Sequence, residues 1–199
     1  ANGYLGRALT TKLLEKNIKV FAIIRSDSFD LIDPNLVPIN GDLSDMESLM
    51  DNLGELTDSL GSVFYHTAWR GFERLMDGDL KEQLINVVNS VNALKLAKYL
   101  KCSRFINVGS QEEMFFERHL DGLNAGRSIG GVENLNYATA KLAARDMCRL
   151  VSYSEKIDYI HTRLSVITER SSSVGYINST LNNIKVGEPY EKPQSTRLY

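Results

Sequence analysis

Cysteine is nearly absent from this chain: Cys102 and Cys148 are the only two in 199 residues. So small a number argues for no disulfide framework and no metal site, and reduced thiols in a cytoplasmic protein are expected. Long apolar runs are missing too, since none approaches the roughly 20 residues that a membrane helix needs. Neither sign of charge dominates, with a formal net charge of −2, so there is no electrostatic case for nucleic acid or an anionic membrane as partner. The chain opens on Ala1-Asn2-Gly3 rather than on a methionine and a charged segment, so no signal peptide is expected. There is no internal repeat, low-complexity tract or clear linker. What is present is a hydrophobic fraction of 43%, enough to bury the core of one domain.

Gly3 and Gly6 sit three apart at the start of an amphipathic run. Leu5, Leu9, Leu13 and Leu14 fall on helical spacing there, and Asn17 is placed to end the helix. A glycine turn opening a helix lets a phosphate approach bare backbone N–H groups, where the helix dipole also favours an anion. Glycine is equally ordinary turn punctuation. Val20-Phe21-Ala22-Ile23-Ile24 follows, a continuous apolar run of the kind buried in a parallel sheet, with Arg25-Ser26-Asp27 directly after it. Glycine turn, helix, strand and polar strand end is the order of a dinucleotide-binding βαβ unit. The strand that should lead into the unit is missing, so the chain is expected to be part of a longer one.

Val37-Pro38-Ile39-Asn40 reads as a short, edge-like strand ended by Gly41-Asp42-Leu43. Asp42 is placed to accept a bond from an adenine amine, or is a turn aspartate. Ser44-Asp45-Met46-Glu47 reads as a capping box that opens a helix carrying Leu49 and Leu53. Residues 62–68 form a third strand, with His66 hydrogen-bonded inside it, and Trp69-Arg70-Gly71 follows. A long helix spans 79–100, and Leu84, Val87, Val91, Leu94 and Ala97 mark its buried face. Asn86, Asn89 and Asn92 interrupt it. They lie on a solvated side, or Asn86 bonds across to a neighbouring loop or an active-site water.

Residues 104–108 are a strand that ends in Gly109-Ser110-Gln111-Glu112. In open α/β sheets ligands bind beyond the carboxyl ends of the strands, which puts Ser110 where chemistry is expected. Residues 115–135, with Gly122, Gly126, Gly130 and Gly131, read as a binding loop or a mobile cover over a substrate. Next, in Asn136-Tyr137-Ala138-Thr139-Ala140-Lys141, a phenol and an ammonium four apart share a helix face. A lysine beside a tyrosine favours the phenolate and lowers the phenol's pKa. The tuned phenol can exchange protons with a sugar hydroxyl or ketone near neutral pH. Such pairs also meet by chance on solvated helix faces, so the weight lies in the pair's place after Ser110. Residues 157–164 form a further strand, and Gly175 and Gly187 bracket a possible last helix.

Taken together, the glycine turn, strand-end Ser110, Tyr-x-x-x-Lys and a strand ending in Arg163-Leu164 resemble the extended short-chain dehydrogenase/reductases. More narrowly they resemble the NAD(P)-dependent sugar-nucleotide epimerase/dehydratase group, over nearly the whole chain. The resemblance implies a Rossmann-like α/β fold, a doubly wound parallel sheet without its first strand, over residues 1–165. Residues 166–199 would begin a small substrate lobe. It implies that Gly3, Leu5, Gly6, Arg25, Ser26, Asp42, Leu43, Thr67, Ala68 and Trp69 bind the cofactor, together with Tyr137 and Lys141. Ser110, Tyr137 and Lys141 would be catalytic, and Gln111, Glu112 and Asn86 would face the substrate. Met114-Phe115 departs from the family's usual Tyr-Gly, and Val166-Ile167-Thr168-Glu169-Arg170 from its usual Asn-Val-Tyr-Gly-Pro. Dehydration in the family uses an acid pair after the Ser or Thr; Gln111 is a neutral amide, so 4-keto reduction and epimerisation rank above dehydration. The cofactor expected is NADP, with NAD as alternative, because Arg25 stands where NAD-selective sites place a carboxylate. A nucleotide-sugar substrate and a homodimer complete the expectation. The alternative is a non-catalytic nucleotide-sensing or scaffold protein on the same fold.

Overall fold

The computed structural model describes residues 1–25, 29–53, 60–71, 79–126, 135–165, 180 and 183–189. The chain divides into two compact units, Ala1–Leu164 and Ser165–Tyr199. In chain order the first unit runs α1 (Tyr4–Leu14), β1 (Val20–Ile24), β2 (Leu36–Asn40), α2 (Met46–Leu53), β3 (Val63–His66), α3 (Leu80–Tyr99), β4 (Arg104–Ser110), α4 (Glu112–Asn124), α5 (Leu135–Glu155) and β5 (Asp158–Leu164). Every strand pairing among the described residues is parallel; helices separate β2 from β3, β3 from β4 and β4 from β5. The result is Rossmann-like α/β architecture in two sheet pieces, β1-β2 and β3-β4-β5. No described strand lies along the remaining edges of β1 and β3. In the second unit, Gly187 takes φ 75° and ends a short helical stretch at 183–186.

Parallel strands covered by helices need apolar faces, and two clusters supply them. Ala93, Leu94 and Ala97 of α3 meet Phe105, Cys148 and Ile157 in one. Ile39, Leu49, Leu53 and Leu96 form the other, under β2 and α2. Leu43 packs on both, so the residue after Asp42 is anchored by the core. Burial pushes the Cys148 thiol up to about 12, which keeps it protonated and inert.

Two expectations are corrected. The buried side of α3 is rotated from the one its apolar residues mark: Leu94 and Ala97 are buried, Val87 and Val91 are half-buried and Leu84 is exposed. In their place Gln83, Asn86 and Ser90 go inside. Each makes a hydrogen bond there, Gln83 through its Oε1 but not its Nε2, and Leu80, Leu84 and Val88 are left on the outside. The expected loop at 115–135 is also wrong in its first half, since α4 runs to Asn124. Glu112 and Glu113 in its first turn suit the positive end of the helix dipole. Gly126, at φ 67°, ends it with a bond from its N–H to the Leu123 carbonyl. Residues 127–134 of that stretch lie outside the described residues.

Candidate active site

Arg25, Asp42, Thr67 and Ser110 lie at or just beyond the carboxyl ends of the strands, and Asn86, Tyr137 and Lys141 lie on helices. At β1 and α1, Gly3 caps the helix without a side-chain bond, and a Cβ there would meet nothing within 4 Å. Gly6 is required by a close approach: its Cβ would lie 2.5 Å from the Ala1 carbonyl oxygen. Leu5 is half-buried beside it. The helix start is thus open backbone with a positive end, which fits a phosphate. Arg25 is exposed at the end of β1, and Ser26 lies outside the described residues.

At the end of β2, Asp42 Oδ1 accepts bonds from the Ser44 amide at 2.9 Å and the Ser44 hydroxyl at 2.7 Å. Its Oδ2 pairs with the Arg70 guanidinium. Burial alone would raise this carboxyl. The Ser44 bonds and the charges on Arg70 and Arg25 outweigh it and hold the pKa below the ordinary value. Arg70 is itself clamped by α3. Its N–H donates to Asn86 Oδ1 at 2.7 Å, and its carbonyl accepts from Asn86 Nδ2 at 2.9 Å. Asn86 therefore bonds across to a neighbouring loop, not to solvent. Asn92 does the same for the Leu43 carbonyl, at 2.8 Å.

After β3 the chain passes through Thr67 and Ala68 to Trp69. The Trp69 ring stands edge-on to Tyr137, with centroids 5.9 Å apart and an interplanar angle of 86°. Tyr137 and Lys141 are both buried on α5, at 8% and 5% exposure, so the pair is not on a solvated helix face. Lys141 Nζ lies 3.7 Å from the Trp69 ring centroid and donates to the Val108 carbonyl at 2.9 Å. Two residues further along β4, Ser110 Oγ accepts from the Glu112 N–H at 3.3 Å, leaving its own O–H as a donor. Gln111 precedes α4, and its N–H bonds the Leu164 carbonyl at 2.9 Å.

Sequence reasoning missed the residue that holds this strand end. Glu113 is fully buried. Its carboxylate accepts from the Ser110 N–H at 2.8 Å, from His161 Nε2 at 2.9 Å and from Arg163 Nε at 3.2 Å. Burial pushes its carboxyl up, but His161, the Ser110 amide and Arg163 together pull it below the usual range. The alternation of Tyr159, His161 and Arg163 on β5 was the available signal, since period two puts all three on one face.

A polar row joins the same cluster across the sheet, following the register His66↔Asn107↔His161. Asn107 accepts from His66 Nδ1 at 3.0 Å and reaches His161 Nδ1 at 3.4 Å. His66 is a hydrogen-bonded strand residue, as expected. Burial, with Lys141 nearby, pushes its pKa down to about 4 against the partial support of Asn107. The folded protein therefore holds His66 neutral while an unfolded chain binds a proton below about 6.5. The stability this contributes is complete above about pH 6.5 and drains away as pH falls towards 4, by roughly 1.4 kcal/mol per unit. Urea unfolding at pH 7 and pH 5 should show wild type losing about 2 kcal/mol more than His66→Gln. Equal losses would remove His66 as the titrating group.

Among the described residues, no group of three or more His, Cys, Asp or Glu side chains could hold a metal ion, and no helix is long and apolar enough to cross a membrane. No curated protein sequence matches the chain. Solved structures share the fold. The Bordetella bronchiseptica enzyme WbmG, in complex with NAD and UDP, matches at 16% identity and a TM-score of 0.66, over 94% of this chain and 57% of that one. UDP-N-acetylglucosamine 4-epimerase from Bacillus cereus matches at 14% identity and 0.63, over 94% and 59%. A Burkholderia cenocepacia short chain dehydrogenase in complex with NADP matches at 17% and 0.60, over 82% and 68%. The chain thus spans less than two thirds of the first two. At these identities the likeness shows the fold. The sequence pattern of one family matches residues 1–194, and on that match the chain belongs to the NAD dependent epimerase/dehydratase family.

Proposed function

We propose that this protein binds a nicotinamide dinucleotide across the carboxyl ends of its strands and acts on a nucleotide-linked sugar, with Tyr137 as acid/base. The observation that carries the reading is the buried Tyr137–Lys141 pair, docked through the Val108 carbonyl onto the strand that ends in Ser110. The open, uncapped start of α1 and the bare Gly3 fit the pyrophosphate of such a cofactor. Asp42 and Leu43 fit the adenine end, and Thr67, Ala68 and Trp69 the nicotinamide ribose. When bound, the nicotinamide supplies hydride chemistry. Tyr137 takes the proton from the sugar hydroxyl, or returns it to a ketone. Lys141 keeps positive charge beside that phenol, favouring the phenolate. Ser110 donates its O–H to the same sugar oxygen. Gln111 and Glu112, at the start of α4, face the substrate, and Asn86 acts on it only through the loop it clamps.

Gln111 is an amide where dehydration needs an acid, which favours 4-keto reduction or epimerisation. WbmG, in complex with NAD and UDP, and the UDP-N-acetylglucosamine 4-epimerase of Bacillus cereus agree with a UDP-linked sugar. Leu80, Leu84 and Val88, exposed at four-residue spacing on α3, support a homodimer through that helix. Two free thiols agree with the reducing cytoplasm. The test is incubation of full-length protein with NAD(H), NADP(H) and a panel of nucleotide sugars. Turnover of at least one sugar is expected; cofactor binding without turnover of any would favour the non-catalytic sensing or scaffold reading.

NADP is the proposed cofactor. Arg25 is exposed at the end of β1, and its charge reaches Asp42. A guanidinium can donate two bonds to a 2′-phosphate, which a carboxylate would repel. NADPH should bind more tightly than NADH, and Arg25→Asp should weaken or reverse that preference. Equal affinities in wild type, or an unchanged ratio in the variant, would show that Arg25 reads no phosphate.

A further inference from the structure

We propose that Trp69 is the resting partner of Lys141: its indole face holds the ammonium in a dry site until a nicotinamide ribose takes it, so cofactor binding is felt at this ring. The inference rests on the cofactor reading above and names a positioning residue within it.

Three contacts support it. The Lys141 ammonium lies 3.7 Å from the indole centroid and 5.8 Å from the Tyr137 centroid, so the indole is the nearer of the two rings that its charge meets. A cation over the face of tryptophan is attracted by the ring quadrupole, most strongly where water is excluded, and Lys141 is 5% exposed. The indole cannot drift with the cation. Its Nε1–H donates to Gln83 Oε1 at 2.9 Å, and Gln83 is fully buried. The next residue, Arg70, is held at both backbone atoms by Asn86, one turn further along α3. The mobile partner is therefore the lysine side chain.

The chemistry of exchange is simple. The ammonium has three N–H donors, and the Val108 carbonyl takes one at 2.9 Å. A π face attracts the charge but offers no lone pair. A ribose brings hydroxyl oxygens, which accept hydrogen bonds directly. When the ammonium turns to those hydroxyls, the indole loses its cation. Because the same ring stands edge-on to Tyr137, the change is read on the acid/base side as well. Trp69 thereby couples an occupied ribose site to the position of both Lys141 and Tyr137.

The experiment follows the emission of Trp69 in full-length protein, isolated as the difference between wild type and Trp69→Phe. The probes are ADP-ribose, which carries the second ribose, and ADP, which does not, each with and without a 2′-phosphate. Calorimetry measures binding in the same samples. Both nucleotides are expected to bind, with the indole signal shifting for ADP-ribose and staying unchanged for ADP. Lys141→Met should abolish the ribose-dependent shift while ADP still binds. If that variant fails to fold, the wild-type comparison decides alone. An equal shift with ADP and ADP-ribose, no shift with either bound, or a shift that survives Lys141→Met would overturn the role of Trp69 and leave the cofactor reading standing. Failure of every probe to bind by calorimetry would overturn the cofactor reading, and this inference with it.

Discussion

Turnover in Tyr137→Phe is expected to fall by about 10²–10⁴-fold, the range that a lost general acid/base contributes. The ring stays and only the oxygen goes. Tyr137 is buried edge-on against Trp69, a packing contact that phenylalanine reproduces, so the variant should fold and bind cofactor nearly as wild type does. Cofactor affinity measured by titration and turnover measured on whichever nucleotide sugar the protein accepts would separate the two effects. Wild-type turnover in the variant would remove Tyr137 from the chemistry.

The largest stability loss is expected from a single added methyl group. A Cβ at Gly109 would lie 2.2 Å from His161 Nε2, 2.3 Å from Glu113 Oε1 and 2.5 Å from the Thr162 carbonyl oxygen. None of these can retreat cheaply. The Thr162 carbonyl belongs to β5, whose register pairs Gly109 with Arg163. Glu113 is fully buried and bonded on three sides, so displacing it strands His161 Nε2 and the Ser110 amide, while Arg163 keeps its pair with Glu117 at 2.7 Å. Breaking a buried ion pair costs on the order of 3–5 kcal/mol. Gly109→Ala should lose about that much, a large share of the roughly 5–15 kcal/mol that stabilises a domain. Glu113→Gln keeps the shape and an acceptor for the Ser110 amide but turns an NH2 towards the His161 and Arg163 donors, so it should lose stability as well. Urea midpoints of the three proteins at pH 7 make the comparison; a Gly109→Ala midpoint equal to wild type would mean that the cluster yields freely. The Glu113 carboxyl is held below its ordinary range, so its contribution is present at neutral pH and is lost only as the solution becomes more acidic than that range.

Several parts of the candidate site could be read without a structure because they are written in local pattern. The glycine turn before α1, the apolar run of β1 and the four-residue spacing of Tyr137 and Lys141 each depend on neighbours within one helical turn or one strand. Element order followed, and with it the placing of Ser110 at a strand's carboxyl end. The family resemblance rested on the same local motifs and agrees with the match over residues 1–194.

The failures have a common cause as well. Leu84 looked buried because periodicity reports which side of a helix is apolar, not which side its neighbours occupy. Helix α4 escaped notice because it buries Glu113 and Gly122 rather than an apolar stripe. Glu113 carries no local signal of its own. It becomes the anchor of Ser110 only because β5, some 50 residues later, brings His161 and Arg163 against it.

By itself, then, the sequence determined most of the elements, their order and the four-residue spacing of Tyr137 and Lys141. The tertiary structure alone decided that Lys141 rests on Trp69, that Asn86 clamps the Arg70 backbone, and that His66, Asn107 and His161 form one row. The physical reason is strand register. Parallel pairing joins residues 41 and 54 positions apart in that row, and no local period encodes which side chains will then face one another.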